Sequence, residues 1–134
     1  DFLFEVLDTI QQSNHLIILH HKLIWMYDHV VLESQISSVS NADLGGCFNC
    51  INPNNFYSEI YPKLVDISDR GIKVFCIGGD IGYNTKEFEY LTNEGIYFLA
   101  SGINSNVDDN KAILFYHDLL NNNLTWSFEL LKDL

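Results

Sequence analysis

The stretch Leu16-Ile17-Ile18-Leu19-His20-His21-Lys22-Leu23-Ile24-Trp25 decides how the chain is read. Its first four residues are apolar without alternation, and the run is short, which is the pattern of a strand buried on both faces. Open α/β sheets collect ligands and metals just beyond the carboxyl ends of such strands. His20 and His21 stand at that place, so they are the first candidates for a metal ligand or an acid–base group. Adjacent residues of an extended chain point to opposite sides, so one of the pair faces any given site. The plain alternative is a satisfied rim histidine beside a solvent-facing one.

Upstream, Phe2, Leu3, Val6, Leu7 and Ile10 form a stripe at helical spacing, predicting a helix over residues 2–13 that ends at Ser13-Asn14. Downstream, residues 22–32 are apolar but irregular, fitting a short helix or a loop packed on the sheet's rim. Residues 34–55 are rich in Ser, Asn and Gly and read as a long loop. Phe56, Ile60, Leu64 and Ile67 mark a second helix over 56–70, with Pro62 in its first turn or at a kink and Gly71 as its cap. A second buried strand, Ile72 to Ile77, ends in Gly78-Gly79-Asp80. Short strand-like segments follow at 95–100, 112–116 and 124–131. In the last of these Leu124, Trp126, Phe128 and Leu130 alternate with polar residues, leaving one wet face. The expected fold class is α/β, of the α+β kind: helix–strand–helix–strand, then an antiparallel meander, as a single domain over 1–134.

Composition narrows the function classes. With 18 acidic against 7 basic residues the net charge is −11, which repels phosphate backbones, so binding to nucleic acid is not expected. The 47% apolar content fits a folded core, and no apolar run approaches the ~20 residues needed to span a bilayer. Three cysteines and no visible signal peptide are compatible with cytoplasm and export alike. The sequence opens at Asp1 inside an amphipathic segment, so a portion of a longer protein is expected.

Further candidates sit at the ends of the other strands. Two glycines let the backbone after the second strand turn sharply, and Asp80 either ligates a hard cation or closes an Asx turn. If the two buried strands are parallel neighbours, His20 and Asp80 share one edge, and a histidine with a carboxylate is half of a hydrolytic metal site. Ser101-Gly102-Ile103-Asn104 lines the same rim, while His15, His29 and His117 read as structural or exposed. Trp25 and Tyr27 either wall a pocket or pack the core. Cys47 and Cys50 have a CxxC spacing without a second ligand pair, which points to loop cysteines, a disulfide or a metal. Cys76 reads as a small buried hydrophobe.

The order of elements resembles the C-terminal half of calcineurin-like metallophosphoesterases. Typical members show a strand leading into His-His-Pro-Leu-Trp, where this chain has His20-His21-Lys22-Leu23 with Trp25 just beyond. Their next strand ends in Gly-His-x-His, and the segment after it is similar to Glu94-Gly95-Ile96-Tyr97-Phe98-Leu99-Ala100-Ser101-Gly102 here. The resemblance implies a partial two-sheet sandwich, a phosphoester substrate and divalent metal ions such as Mn, Zn or Fe. It implies His20 as a metal ligand; Asp80, read from its place after the second strand, is the candidate second ligand, with His21 and Asn104 as catalytic candidates on the rim. This chain departs from the pattern: Gly79 and Ile81 stand where the two histidines of Gly-His-x-His would be, and Lys22 replaces the proline. The family's Asp-x-His and Gly-Asn-His motifs belong to an N-terminal half and are absent from this sequence. The resemblance therefore implies a portion inactive by itself, or a degenerate relative kept as a binding or structural module. A fragment of a sandwich leaves an apolar face uncovered, so self-association or pairing with an N-terminal half of the same domain is expected.

Overall fold

The computed structural model describes residues 2–41, 55–105 and 108–134. Helix α1 spans Phe2–Thr9, β1 His15–His20, the single turn α2 Ile36–Val39 and α3 Tyr61–Asp69. Strands β2 (Lys73–Gly78), β3 (Glu87–Leu91), β4 (Ile96–Ser101), β5 (Lys111–Asp118) and β6 (Asn123–Leu130) follow. The helix expected over 56–70 opens as a π-helical turn, Phe56–Ile60, and becomes α3 at Tyr61, with Pro62 in the first α-turn, one of its two expected places, and Gly71 at φ +86° just past the end. No helix among the described residues is long and apolar enough to cross a membrane.

The main sheet has the order β1-β2-β4-β3, and β5 and β6 form a separate antiparallel hairpin. β1, β2 and β4 run parallel, while β3 is antiparallel to β4. Strand alternation divides the interior into two cores. Val74, Cys76, Ile96, Phe98 and Ala100 join Leu64 and Ile67 of α3 and Leu7 of α1 on one side. Phe75, Leu99, Ile77 and Tyr97 turn the other way, onto Leu124, Ile113, Phe115 and Trp126 of the hairpin. Trp126 anchors that contact, its ring centroid 5.3 Å from Phe75 and 4.8 Å from Tyr97, while its indole N–H donates to Glu89 at 3.0 Å.

Four expectations change. β1 is not buried on both faces: it is an edge strand, with Ile17 42% and Leu19 75% exposed. The same apolar run serves a half-covered edge because the hairpin leaves those two side chains open. The segment at 95–100 does not begin a meander; β4 pairs in parallel with β2, where both of its apolar faces find a core. The meander reduces to the β5–β6 hairpin, and β3 is an additional strand whose alternation (Glu87, Glu89 and Leu91 exposed; Phe88 and Tyr90 half-buried) places it at the other edge. The predicted first helix stops at Thr9. Of the two forms expected for residues 22–32, the packed loop is the one present, burying Leu23, Trp25, Met26 and Leu32 completely.

The two edges and the centre should differ in energetic weight. Phe98→Ala is expected to cost about 3–5 kcal/mol in urea denaturation, because Phe98 is fully enclosed. Leu19→Ala should stay within about 0.5 kcal/mol. Equal losses at the two positions would contradict the edge placement of β1.

Candidate functional site

The carboxyl ends of β1, β2 and β4 share one rim, because His20 lies opposite Gly78 and Gly78 opposite Ala100. His20 packs across the face of Gly78. A Cβ at Gly78 would stand in ordinary contact with the imidazole Cε1, at 3.4 Å, but would overlap the Leu23 side chain, so glycine here leaves room for Leu23 beside the ring. His20 Nδ1 contacts the Lys22 carbonyl oxygen. A carbonyl can only accept, so Nδ1 carries the hydrogen and donates it, leaving Nε2 with a free lone pair. That Nε2 is buried with no hydrogen-bond partner among the described residues. A histidine oriented by a backbone carbonyl at one nitrogen and bare at the other has the arrangement of a metal-ligating imidazole. Burial holds its pKa below the usual 6.5, opposed by the hydrogen bond to Lys22, so His20 is neutral at physiological pH.

The other rim candidates are less well placed. His21 is exposed, and its carbonyl accepts the Gly79 amide at 3.0 Å, carrying the β1–β2 pairing one step past the strand. Asp80 is half-buried, and its carbonyl accepts the Asn41 amide at 2.9 Å, while Asn41 Oδ1 accepts the Tyr83 amide at 3.1 Å. The loop expected at 34–55 is not all loop: its first residues form a 3-10 turn and α2, which lead to Asn41 at this rim, while residues 42–54, Cys47 and Cys50 among them, lie outside the described residues. Asn104 is clasped through its backbone: its amide donates to Asn110 Oδ1 at 2.7 Å and its carbonyl accepts Asn110 Nδ2 at 2.8 Å. Gly102 lies so close to the Ile81 carbonyl that no side chain fits, which seats the Ser101–Asn104 segment on the loop after β2.

The structure brings His20 and Asp80 to one rim but does not complete a metal centre. No group of three or more His, Cys, Asp or Glu side chains that could hold a metal ion is present among the described residues. Of the two positions where the resemblance implies histidines, Gly79 is exposed and Ile81 is fully buried in the helix-side core. Cys76 is a packing residue, burial pushing its thiol up to about 12. Trp25 also belongs to the core, stacked between Phe98 (5.0 Å) and Phe88 (5.4 Å). His15 and His117 meet edge-on at 5.4 Å on the hairpin side. His29 lines a second cavity with Tyr57, Tyr61 and Tyr90. No spacing rule reveals that cluster, since its members come from four different elements.

No family model, curated protein or solved structure matches this chain.

A histidine whose folded pKa is depressed binds its proton more readily in the unfolded chain. The stability tied to His20 is therefore fully present above about pH 6.5 and is lost as pH falls toward the folded value. In an NMR titration the His20 imidazole should titrate below 6.5. An imidazole titrating above 6.5 in the native chain would contradict the buried placement.

Proposed function

We propose that the chain is the C-terminal portion of a calcineurin-like metallophosphoesterase domain, silent as a hydrolase by itself, whose His20 serves as a metal ligand. The observation that carries this reading is the His20 imidazole, fixed by Lys22 at Nδ1 and bare at a buried Nε2 on the sheet's ligand-binding rim. The layering supports it as well: helices over a mixed sheet, with an antiparallel hairpin behind, accord with part of a two-sheet phosphoesterase sandwich.

A bound Mn, Zn or Fe ion would supply Lewis acidity and an activated hydroxide for attack on a phosphoester. A catalytic metal needs about three protein ligands besides its solvent, and His20 with Asp80 does not reach that number. The remaining ligands belong, in this reading, to an N-terminal half of the same domain. The open edge of β1 is a suitable junction. His15 to His20 contain no charged residue and no proline, and a groove of about 400 Å³ lined by Phe2, Leu3, Val6, Ile18 and Ile24 runs beside them. The opposite edge is protected in the usual way, Glu87 paired with Lys111 at 2.5 Å and Glu89 with Trp126. Such asymmetry suits a sheet that continues past β1.

A second reading, a degenerate phosphoesterase-fold module without catalysis, is favoured by Ile81, which turns a position expected to hold a ligand into core. Titration with Zn²⁺ separates the two. The ligand reading expects the His20 imidazole signals to shift saturably, the effect to vanish in His20→Ala, and to persist in His21→Ala. Neither the native chain nor the variants should hydrolyse an aryl phosphate. Unperturbed His20 signals would leave only the degenerate module, and His20-dependent turnover would refute the silence of the chain alone.

A further inference from the structure

A second cavity lies at the opposite end of the sheet from His20, where the turn Thr92–Gly95 joins β3 to β4. It measures about 320 Å³, at the small end of ligand cavities. Four aromatic rings wall it: His29 from the packed loop, Tyr57 from the π-turn, Tyr61 from the start of α3 and Tyr90 from β3. Their planes are inclined rather than stacked. His29 meets Tyr57 at 54° and Tyr90 at 82°, and Tyr57 meets Tyr61 at 53°, with centroids 5.6, 5.3 and 5.1 Å apart. Rings at such angles form the sides of a cup.

The Tyr57 and Tyr61 hydroxyls and the His29 Nδ1 are already engaged, so the cup offers π-faces as well as its remaining polar groups. Tyr57 donates to the Trp25 carbonyl at 2.5 Å, and Tyr61 donates to Glu94 Oε2 at 2.6 Å. His29 Nδ1 accepts the amides of Val31 and Leu32, both at 3.1 Å, which places the ring hydrogen on Nε2. Burial lowers the His29 pKa, so the imidazole is neutral at physiological pH. Burial likewise raises both phenols, Tyr61 to about 12, so neither ionises there. The charge of the cup therefore comes from Glu94 and Asp28, and no Lys or Arg lines it among the described residues. The Tyr61 hydrogen bond holds the Glu94 carboxyl below the usual range. Asp28 sits at φ +61°, an unfavourable conformation for a side-chain-bearing residue, immediately before the histidine that forms one wall.

We propose that this cup of Tyr57, Tyr61, Tyr90 and His29, with Glu94 at its lip, is a binding site for an alkylated ammonium group. Aromatic faces attract weakly hydrated organic cations, and quaternary ammonium is the cation such walls suit best. A hard metal ion is a poor fit, since two carboxylates do not supply its oxygen shell and no ligating group of three is present among the described residues. The alkylammonium is carried either by a small molecule such as choline or by the side chain of a trimethylated lysine; the chemistry recognised is the same. The site shares no residue with the His20 rim and stands or falls separately from it.

The test is an NMR titration of the full chain with choline, with N-acetyl-trimethyllysine amide and with 3,3-dimethylbutanol, the neutral carbon isostere of choline. Saturable shifts at the three tyrosine rings are expected with at least one of the two cations, and the tighter binder identifies the source. The neutral isostere should bind about tenfold more weakly. Tyr90→Leu should weaken cation binding about tenfold, and Glu94→Gln about threefold with the amide spectrum otherwise unchanged. Equal affinity for the isostere, no saturation with either cation, or full affinity in Glu94→Gln together with Tyr90→Leu would overturn the proposal.

Discussion

Burial of β2 and β4 on both faces is the constraint on which the other elements depend. Phe75 and Leu99 point one way, Phe98 and Cys76 the other, and each set needs a cover that excludes water. The helical layer and the packed loop at 22–32 answer one demand, and the β5–β6 hairpin answers the other. β1 pairs in parallel with the clamped β2 in a register that sets His20 opposite Gly78, so the carboxyl ends of three strands meet at one rim. His20 owes its position to that rim.

The rim is stiffened more by backbone than by side chains. Gly78 leaves room for the Leu23 side chain beside the imidazole, and Gly102 lets the loop after β4 touch the loop after β2. Asn41 adds a third segment by bonding across to residues 80 and 83. Close approach of this kind suits a place where a side chain must be held in one orientation. The tyrosine cup is built differently, from rings of four elements that meet where the β3–β4 turn leaves a gap. One protein thus presents a buried histidine fixed at Nδ1 at one end of its sheet and an acidic aromatic cavity at the other.

Part of this was legible in the residues and part was not. The apolar runs ending in His20 and Gly78 marked two strands correctly, and Pro62 and Gly71 bracketed α3 as helix rules require. The alternation Glu87-Phe88-Glu89-Tyr90 carried the signal for β3, although the surrounding turns obscured it. Whether Leu16 to Leu19 stood at the centre or the edge of a sheet was not legible, because a covered and a half-covered strand can share one composition; the cover comes from residues more than ninety positions away. The candidate site divides along the same line. His20 was visible from its place after a strand, whereas the cup required Tyr57, Tyr61 and Tyr90 to be brought together by tertiary packing.

The central claim is that His20 is held as a neutral imidazole with its hydrogen on Nδ1 and its buried Nε2 without a hydrogen-bond partner among the described residues. A two-bond proton–nitrogen correlation spectrum of the histidine side chains above pH 7 reads this directly. The account predicts a single His20 tautomer with a protonated Nδ1 and an unprotonated Nε2. A His20 signal set showing hydrogen on Nε2, or rapid averaging of both tautomers, would contradict it.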